Sequence, residues 1–460
     1  MPARISMQDR EGGPSAGAGA PRATRELDHI AGDDGLPVFG HTFAFLRDAR
    51  ASLMGMHRRY GPVFRYNSFF ERSVVLLGPA FNEAVLFDRE RLFSSRLGWD
   101  HHLGALFPRG LLLRDGDDHR RHRRLMQAAF KPAAMRRYVE LMTPLVAERM
   151  QAWSGRRPLR FYPEAKQLLL DAAAVAFLGL SLGPEADRVN RAFIDLVTAA
   201  IAVVRAPVPG LGYHRGLRAR AYLTGLLRDL IPARRDGGGD DMLSQLCRAT
   251  DEGGARLHDD EIVDHMVFLL MAAHDTTASA LATLALALAD HPDWQDRLAA
   301  EGAALGAPAP DLDALDRLTD ADLAFNEALR LYTPVRTLPR RTLRACAVAG
   351  VKLPANTQVW ISPDFTHLMP EWWSEPERFD PERFAEPRAE HRGHPFLWLP
   401  FGGGVHKCLG MHFARLQVRM VVHRLLPHVR LRLSRGRRPA YRFLPFPHPR
   451  RGLPLVLEPR

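Results

Sequence analysis

The residues of this chain best suited to chemistry lie in Phe401–Gly410, where a single cysteine, Cys408, follows three consecutive glycines. The glycines Gly402–Gly404 allow positive φ angles and let the backbone approach a flat ligand closely. The apolar spacing of Leu409–Leu426 predicts a helix, so Cys408 would lie at a helix N-terminus, where free amides and the dipole favour a thiolate. A thiolate held in this way can be an axial ligand of haem iron. Taken alone, this stretch leaves open the alternative of a buried, inert cysteine beside a glycine-rich turn.

The spacing Phe-x-x-Gly-x-x-x-Cys-x-Gly resembles the haem-binding signature of the cytochromes P450. This sequence matches it at Phe401, Gly404, Cys408 and Gly410. The resemblance implies that Cys408 is the iron ligand of haem b (iron protoporphyrin IX) and that Phe401 belongs to the cofactor-binding loop. It also implies a mainly α fold with small β-sheets (α+β), in which a long central helix passes over the haem beside a smaller β region.

A second group of polar residues interrupts the longest apolar segment. Val267–Ala289 is long enough to span a membrane. Its centre, His274–Thr277, argues against this, because a carboxylate there would cost about 2.5–3.5 kcal/mol. The segment therefore predicts a long buried helix from Asp259 or Asp260 to Asp290, about 48 Å long, and no transmembrane anchor.

The centre of this helix also resembles a motif of the same family. Ala272–Thr277 follows the pattern (Ala/Gly)-Gly-x-(Asp/Glu)-Thr-(Thr/Ser), with Ala273 in place of the usual glycine. The resemblance implies that Thr276 hydrogen-bonds dioxygen and that Asp275 helps to deliver protons, a form of general acid catalysis. The residues alone leave open that the threonines bond back to helix carbonyls and that Asp275 forms an ion pair. His274 is expected to pack against the protein.

Two weaker motifs predict a structural ion-pair network. Glu327 and Arg330 lie three residues apart and would share one helix face. Downstream, Phe379–Phe384 resembles the family segment whose arginine, here Arg383, joins that pair. Losing one member of such a network would leave a buried charge unpaired.

Haem propionates need cationic or hydrogen-bonding partners, and the forked donors of arginine suit carboxylates well. The resemblance implies that His406 and Arg340 serve in this way. The segment Asp115–Arg124 aligns with a Trp-x-x-x-Arg element of the family, with His119 in place of tryptophan. Arg123 and His119 are therefore further candidates. The alternative for this segment is a basic surface helix.

The composition narrows the class of protein. Three cysteines form no CxxC pair, which excludes a disulfide framework or zinc ribbon and suits a reducing compartment. The net charge of +11 invites nucleic-acid binding, but only four of the 63 basic residues are lysine, and no zinc-finger, RNP or basic-zipper spacing accompanies them. We therefore expect no nucleic acid and favour an acidic electron-transfer protein as the partner of this charge.

The sequence predicts one globular domain after a short leader. Residues 1–34 are rich in Gly, Ala, Arg and Asp and lack an apolar core, which predicts a disordered leader and not a signal peptide. Residues 35–460 would form a single domain. It is mostly helical from about Arg120 to Pro292, with another helix from about Asp320 to Tyr332. We expect a cytoplasmic monomer.

The function that the resemblance implies is a haem-thiolate monooxygenase that inserts one oxygen atom of O2 into a small apolar molecule. Electrons would come from a ferredoxin- or flavodoxin-type donor with its reductase, because no flavin or iron–sulfur segment is visible. The alternatives are a peroxygenase, an isomerase or dehydratase that needs no external electrons, or a non-catalytic haem-thiolate sensor. The resemblance also implies that a terpenoid, steroid, fatty-acyl or polyketide-like substrate would contact four segments: Trp99–Gly110, Pro207–Tyr213, Phe268–Ala272 and Val335–Leu338.

Overall fold

Helices dominate the computed structural model of this protein, which describes residues 25–154, 158–202, 204–237, 239–306, 309–434 and 436–460. The α-helices of these residues, in chain order, are α1 Thr42–Tyr60, α2 Pro79–Phe87, α3 Ser95–Leu103, α4 Gly116–Gln127, α5 Pro132–Ser154, α6 Phe161–Leu178, α7 Pro184–Ala200, α8 Gly212–Arg235, α9 Met242–Arg248, α10 Asp259–Asp290, α11 Pro292–Ala304, α12 Leu312–Leu315, α13 Thr319–Leu331, α14 Pro363–Thr366 and α15 Met411–Leu425.

The strands are short and form four small sheets in the described residues. In chain order they are β1 Gly32–Asp33, β2 Val63–Ser68, β3 Glu71–Leu76, β4 Phe93–Ser94, β5 Leu159–Arg160, β6 Leu338–Thr342, β7 Cys346–Val348, β8 Val351–Leu353, β9 Gln358–Ile361, β10 Val429–Leu433, β11 Tyr441–Arg442, β12 His448–Pro449 and β13 Pro454–Pro459. The largest sheet has the order β1-β2-β3-β9-β6-β4, and a second has the order β10-β13-β5. The mainly α fold with small sheets is as the sequence predicts.

The long helix α10 crosses the helical region and packs against α6, α8 and α13. It begins where the sequence predicts, after His258, whose backbone N–H donates to the Glu261 carboxylate at 2.9 Å in a capping box. No Gly or Pro interrupts its 32 residues, and Pro292 begins the next helix. Although α10 is long and apolar enough to cross a membrane, 78% of its most apolar stretch is buried inside the fold.

The six-stranded sheet encloses a second apolar core. Strand β3 pairs in parallel with β9, which sets Val74 beside Val359 and Leu76 beside Ile361. These four side chains are fully buried. The antiparallel partner of β9 is β6, and Arg340 lies opposite Val359 in this pair. The sheet therefore fixes Arg340 on a rigid strand.

Residues 25–34, the C-terminal part of the segment that was predicted to be disordered, are ordered in the structure. Residues 1–24 lie outside the described residues, but β1 pairs in parallel with β2, within the segment predicted to be disordered. Leu27 and Ile30 are buried in the core of the six-stranded sheet. These two apolar side chains supply the burial that orders residues 25–34, and because they stand singly between charged residues they form no apolar run from which this order could be predicted.

The predicted ion-pair network is present and wholly buried. The Arg330 guanidinium donates to both Glu327 oxygens at 2.7 Å, and Arg383 Nε donates to Glu327 Oε1 at 3.1 Å. All three side chains are 0% exposed. Arg383 also pairs with Glu390 at 2.7 Å, so the two arginines meet two carboxylates. This network joins α13 to the segment that leads to Cys408.

Candidate functional site

A cavity of about 480 Å³ lies between α10 and the loop of Cys408. Cys408 lines one side of the cavity, and Thr276 lines another. Its walls are mostly apolar, with aromatic side chains from distant parts of the chain. The lining includes Phe45, Phe69, Trp99, Phe130, Phe177, Phe268, Phe325, Trp360, Phe443 and Phe446.

The Cys408 loop is closed by its own backbone. The Cys408 N–H donates to the Phe401 carbonyl at 2.8 Å, so these two residues are fixed across the turn. Gly402 and Gly404 have φ angles of 66° and 62°. At Gly404 a Cβ atom would lie 1.8 Å from the Leu86 carbonyl oxygen at the end of α2. Glycine is required at this position because the loop packs closely against the backbone of α2. The sequence predicted a close approach of these glycines to a ligand, whereas at Gly404 the close approach is to protein.

Cys408 precedes the helix that was expected to begin beside it. Helix α15 begins at Met411 with Gly410 as its N-cap, so Cys408 lies before the first turn. Burial raises the pKa of the Cys408 thiol, whereas a hydrogen bond from the Gly410 N–H and the charges of Arg123 and Lys407 act in the opposite direction. The exposed surface of Cys408 faces the cavity. The balance of these effects leaves the pKa raised, so the protein alone favours the protonated thiol, and a metal cation bound at Cys408 would stabilise the thiolate.

On α10, the adjacent residues Asp275 and Thr276 face different surroundings. Thr276 lines the cavity, and its hydroxyl donates to the Ala272 carbonyl at 2.7 Å. Asp275 is 0% exposed and does not line the cavity. Its carboxylate forms an ion pair with the Lys166 ammonium of α6, and the two atoms lie 2.6 Å apart. The structure therefore contains the alternative that the residues alone left open. Thr276 bonds back to a helix carbonyl, and Asp275 forms an ion pair.

His274 packs against the protein, as expected. Its Nδ1 donates to the Leu270 carbonyl at 2.8 Å, and its ring lies 6.3 Å from that of Phe193. It is 1% exposed and does not line the cavity.

The four predicted propionate partners come together at the Cys408 end of the cavity. Arg123, Arg340, His119 and His406 all line it, and the His119 and His406 rings lie 4.0 Å apart. Burial, together with Arg123, lowers the pKa of His119 to about 4. Burial, Arg340 and the other cations lower the pKa of His406 to about 2. Burial also lowers the pKa of Arg340 to about 10.

This cluster fits an anionic cofactor. Among the described residues, neither Arg123 nor Arg340 forms an ion pair with a carboxylate, and the buried Nε2 of His119 has no hydrogen-bond partner. One acid beside this cluster, Asp115, lies 3.8 Å from His406 Nε2 and already accepts hydrogen bonds from Ser94 and Ser95. Because buried cations need a counter-charge, two carboxylates of a ligand would complete the cluster. A flat ligand with one metal, held by Cys408 and by two carboxylates, matches this donor set.

Three of the four predicted substrate segments contribute to the cavity. Trp99–Leu103, Phe268–Ala272 and Val335–Leu338 supply lining residues. Pro207–Tyr213 does not, because Val208 and Leu211 point outward, 52% and 39% exposed. The end of α7 and the residues after it, from Val197 to Arg205, take that place.

Sequence reasoning missed Lys166 and the wall formed by Phe443–Phe446. Lys166 carried a usable signal, since it is one of only four lysines in the chain and a second, Lys407, adjoins Cys408. Phe443–Phe446 lies in an irregular segment between β11 and β12. No periodicity or motif in this segment predicts that it lines the cavity.

Comparison with known proteins gives a consistent result. A family model described as Cytochrome P450 matches residues 31–446. Cytochrome P450 136 of Mycobacterium tuberculosis is 40% identical over 440 residues, which are 94% of this chain and 89% of that protein. Abscisic acid 8'-hydroxylase 2 of Oryza sativa subsp. indica is 31% identical, over 92% of this chain and 85% of that protein. A solved structure described as retinoic acid bound cyanobacterial CYP120A1 is similar with a TM-score of 0.86 and 28% identity, and covers 94% of this chain and 99% of that one.

Proposed function

Because this chain belongs to the cytochrome P450 family of haem b monooxygenases, we propose that it hydroxylates a terpenoid-like small molecule with electrons from a separate donor protein. The observation that carries this proposal is the shared cavity, in which the thiol of Cys408 and the hydroxyl of Thr276 line one apolar chamber. The similar proteins named for abscisic acid and retinoic acid support a terpenoid, within the wider range of steroid, fatty-acyl or polyketide-like molecules.

The residues around Cys408 would hold the cofactor. The Cys408 thiolate would bind the iron, the Phe401 loop would support it, and Arg123, Arg340, His119 and His406 would bind the propionates. Bound there, haem would supply oxygen activation: with two electrons from the donor protein and two protons, one atom of O2 would enter the substrate and the other would leave as water.

Protons reach the chamber along α6 and α10. The Lys166 side chain is 21% exposed, so its ammonium can exchange protons with solvent while it holds Asp275 Oδ1 at 2.6 Å. A rotation of Asp275 away from Lys166 would bring its carboxyl group toward the Thr276 hydroxyl on the cavity side. To pass a proton inward, the Thr276 hydroxyl would accept the proton from Asp275 and release its own, and in that step it would give up the hydrogen bond that it donates to the Ala272 carbonyl. In this route the proton is taken up from solvent at Lys166 and Asp275, and it is delivered to the cavity at Thr276 only after the ion pair has opened.

Electrons arrive from the side of the chain that carries α4. Arg120 and Arg124 of α4 are 49% and 58% exposed, and Lys407 beside Cys408 is also exposed. Within the described residues, Arg120 and Arg124 pair only with highly exposed acids, Asp117 and Glu252, and such pairs are weak. An acidic ferredoxin or flavodoxin can replace those partners. We propose a cytoplasmic monomer that meets this donor and its reductase transiently.

The proposal is tested by reconstituting the holoprotein with a surrogate ferredoxin, its reductase and NADPH. We expect terpenoid candidates to shift the Soret band and to yield a hydroxylated product in proportion to NADPH consumed. Product formed from hydrogen peroxide, but not from O2 with NADPH and the redox proteins, would identify a peroxygenase. Product without any net oxidant would identify an isomerase or dehydratase. Binding without turnover would identify a sensor.

The substitution Asp275→Asn is expected to lower the rate of product formation by about 100-fold, within the range of general acid catalysis. KM should stay within about twofold, because Asp275 lies outside the cavity lining. The measurements are kcat, product formed per NADPH, and the solvent isotope effect on kcat. Asp264→Asn is the matched control, a buried α10 aspartate paired with Arg109 and Arg220. Equal effects of the two substitutions on product per NADPH would contradict the proposed proton route.

The substitution Arg340→Leu is expected to speed haem loss by about 10-fold to 100-fold, since one charge-assisted hydrogen bond contributes about 1.5–3 kcal/mol. The apoprotein should be no less stable than wild type, because the substitution removes a buried cation that has no carboxylate partner among the described residues. Haem transfer to apomyoglobin and urea unfolding of the apoprotein measure the two effects. Arg341→Leu, which removes the neighbouring ion pair with Glu71, should leave haem transfer unchanged.

A further inference from the structure

The charged side chains that line the cavity are all basic. The described lining contains four arginines, one lysine and four histidines, and no aspartate or glutamate. The basic residues are Arg123, Arg205, Arg336, Arg340, Lys407, His101, His102, His119 and His406. A chamber with this lining suits anionic ligands, because a buried cation is costly without a counter-charge.

Most of this positive charge already has a partner or an assignment. Arg336 pairs with Asp364 at 2.8 Å and with Asp48 at 3.3 Å. The arginines near Cys408 are assigned to the haem propionates, and Lys407 adjoins Cys408 on the exposed loop. Arg205 is the remaining arginine of the lining.

Arg205 is half-buried and is held by weak contacts. Its Nη1 donates to the Ala200 carbonyl at 3.3 Å, at the end of α7, and its guanidinium lies 4.8 Å from the centre of the Tyr213 ring. It forms no ion pair with any Asp or Glu of the described chain. A guanidinium has five N–H donors, so a planar pair of donors remains for a ligand.

The surroundings of Arg205 form the outer end of the cavity. The exposed side chains Phe70 and Ile201 are part of the lining there, 43% and 40% exposed. His101 and His102 also line the cavity. Burial and the charge of Arg205 lower the pKa of His101, and burial, His101 and Arg205 lower the pKa of His102 to about 3. These rings are therefore neutral near pH 7, and Arg205 carries the positive charge of this end.

We propose that Arg205 binds the carboxylate of an elongated apolar acid and so determines which molecules this enzyme accepts and how they lie. This inference rests on the function proposed above and narrows its substrate class. A carboxylate held by Arg205 leaves the apolar part of the molecule among the aromatic walls, with its far end beside Thr276 and Cys408. Oxidation then takes place at a carbon remote from the carboxylate.

The test compares acids with their own methyl esters, because the ester removes the charge and keeps the apolar body. Retinoic acid with methyl retinoate, and palmitic acid with methyl palmitate, are titrated by calorimetry and by the Soret shift. We expect the wild-type holoprotein to bind at least one acid about 10-fold or more tightly than its ester. Arg205→Gln should abolish this preference without changing the Kd of the ester. Arg205→Lys should keep part of the preference.

The control variant is Arg215→Gln, an exposed arginine of α8 whose nearest acid, Asp195, lies 3.5 Å away. It should bind like wild type. The proposal is overturned if wild type shows no preference for either acid, or binds neither. It is also overturned if Arg205→Gln weakens acid and ester equally, since Arg205 would then only join α7 to Tyr213. Oxidation of a neutral substrate with O2 and NADPH in any of these cases would leave the proposed function standing.

Discussion

Replacing Cys408 by serine is expected to abolish oxygen insertion, with a fall in turnover of about 1000-fold or more, because a hydroxyl is not ionised near neutral pH and cannot replace a thiolate ligand. The reduced CO complex should lose the spectrum of thiolate ligation. Haem content should fall less than activity, since Arg123 and Arg340 line the same end of the cavity. The measurements are the reduced CO spectrum, haem per chain and product per NADPH.

The matched control is Cys346→Ser. Cys346 lies in β7, is half-buried and does not line the cavity. Its substitution should leave the spectrum and the turnover as in wild type. A Cys408→Ser protein that keeps the thiolate spectrum would show that another group holds the iron.

The second large effect is expected on stability, from Glu327→Gln. The substitution leaves Arg330 and Arg383 buried without the carboxylate that both contact, and breaking a buried pair costs about 3–5 kcal/mol. That loss is a large share of the 5–15 kcal/mol that stabilises an ordinary domain, so the yield of folded holoprotein should fall steeply. Urea unfolding with matched m-values measures the loss.

Two further glutamates, at the edge of the network and at the surface, allow the loss of stability to be compared at three degrees of burial. Glu390 contacts Arg383 at the edge of the network and is 15% exposed, so Glu390→Gln should cost less than Glu327→Gln. Glu375 pairs with Arg378 at the surface, where both side chains are more than 60% exposed. Glu375→Gln should cost at most about 1 kcal/mol. Equal losses for Glu327 and Glu375 would refute a structural role for the buried network.

Much of the fold and site could be predicted because the informative residues are close together in sequence. The helical bounds of α10 follow from its apolar run, its acidic first turn and the proline after it. Glu327 and Arg330 share a face by helical periodicity, and the Phe401–Gly410 spacing fixes a short loop. These features depend on local geometry, which a sequence displays directly.

The rest depends on contacts between distant segments. Lys166 meets Asp275 only because α6 packs against α10. Arg205 lines the cavity only because the end of α7 folds over it. Leu27 and Ile30 are ordered by a sheet whose other strands come later in the chain. The spacing of residues within one segment does not predict such contacts between segments.

The pairing of β13 has a consequence for the order in which the protein can be completed during synthesis. Leu159 of β5 pairs with Leu455 of β13, and the cavity wall Phe443–Phe446 lies shortly before that strand. A ribosome therefore produces α6 and α10 long before the strand and the wall that complete their surroundings. Such late, non-local pairing leaves apolar surface exposed in the nascent chain. The cavity for haem is therefore complete only after residues as late as Phe446 have been made.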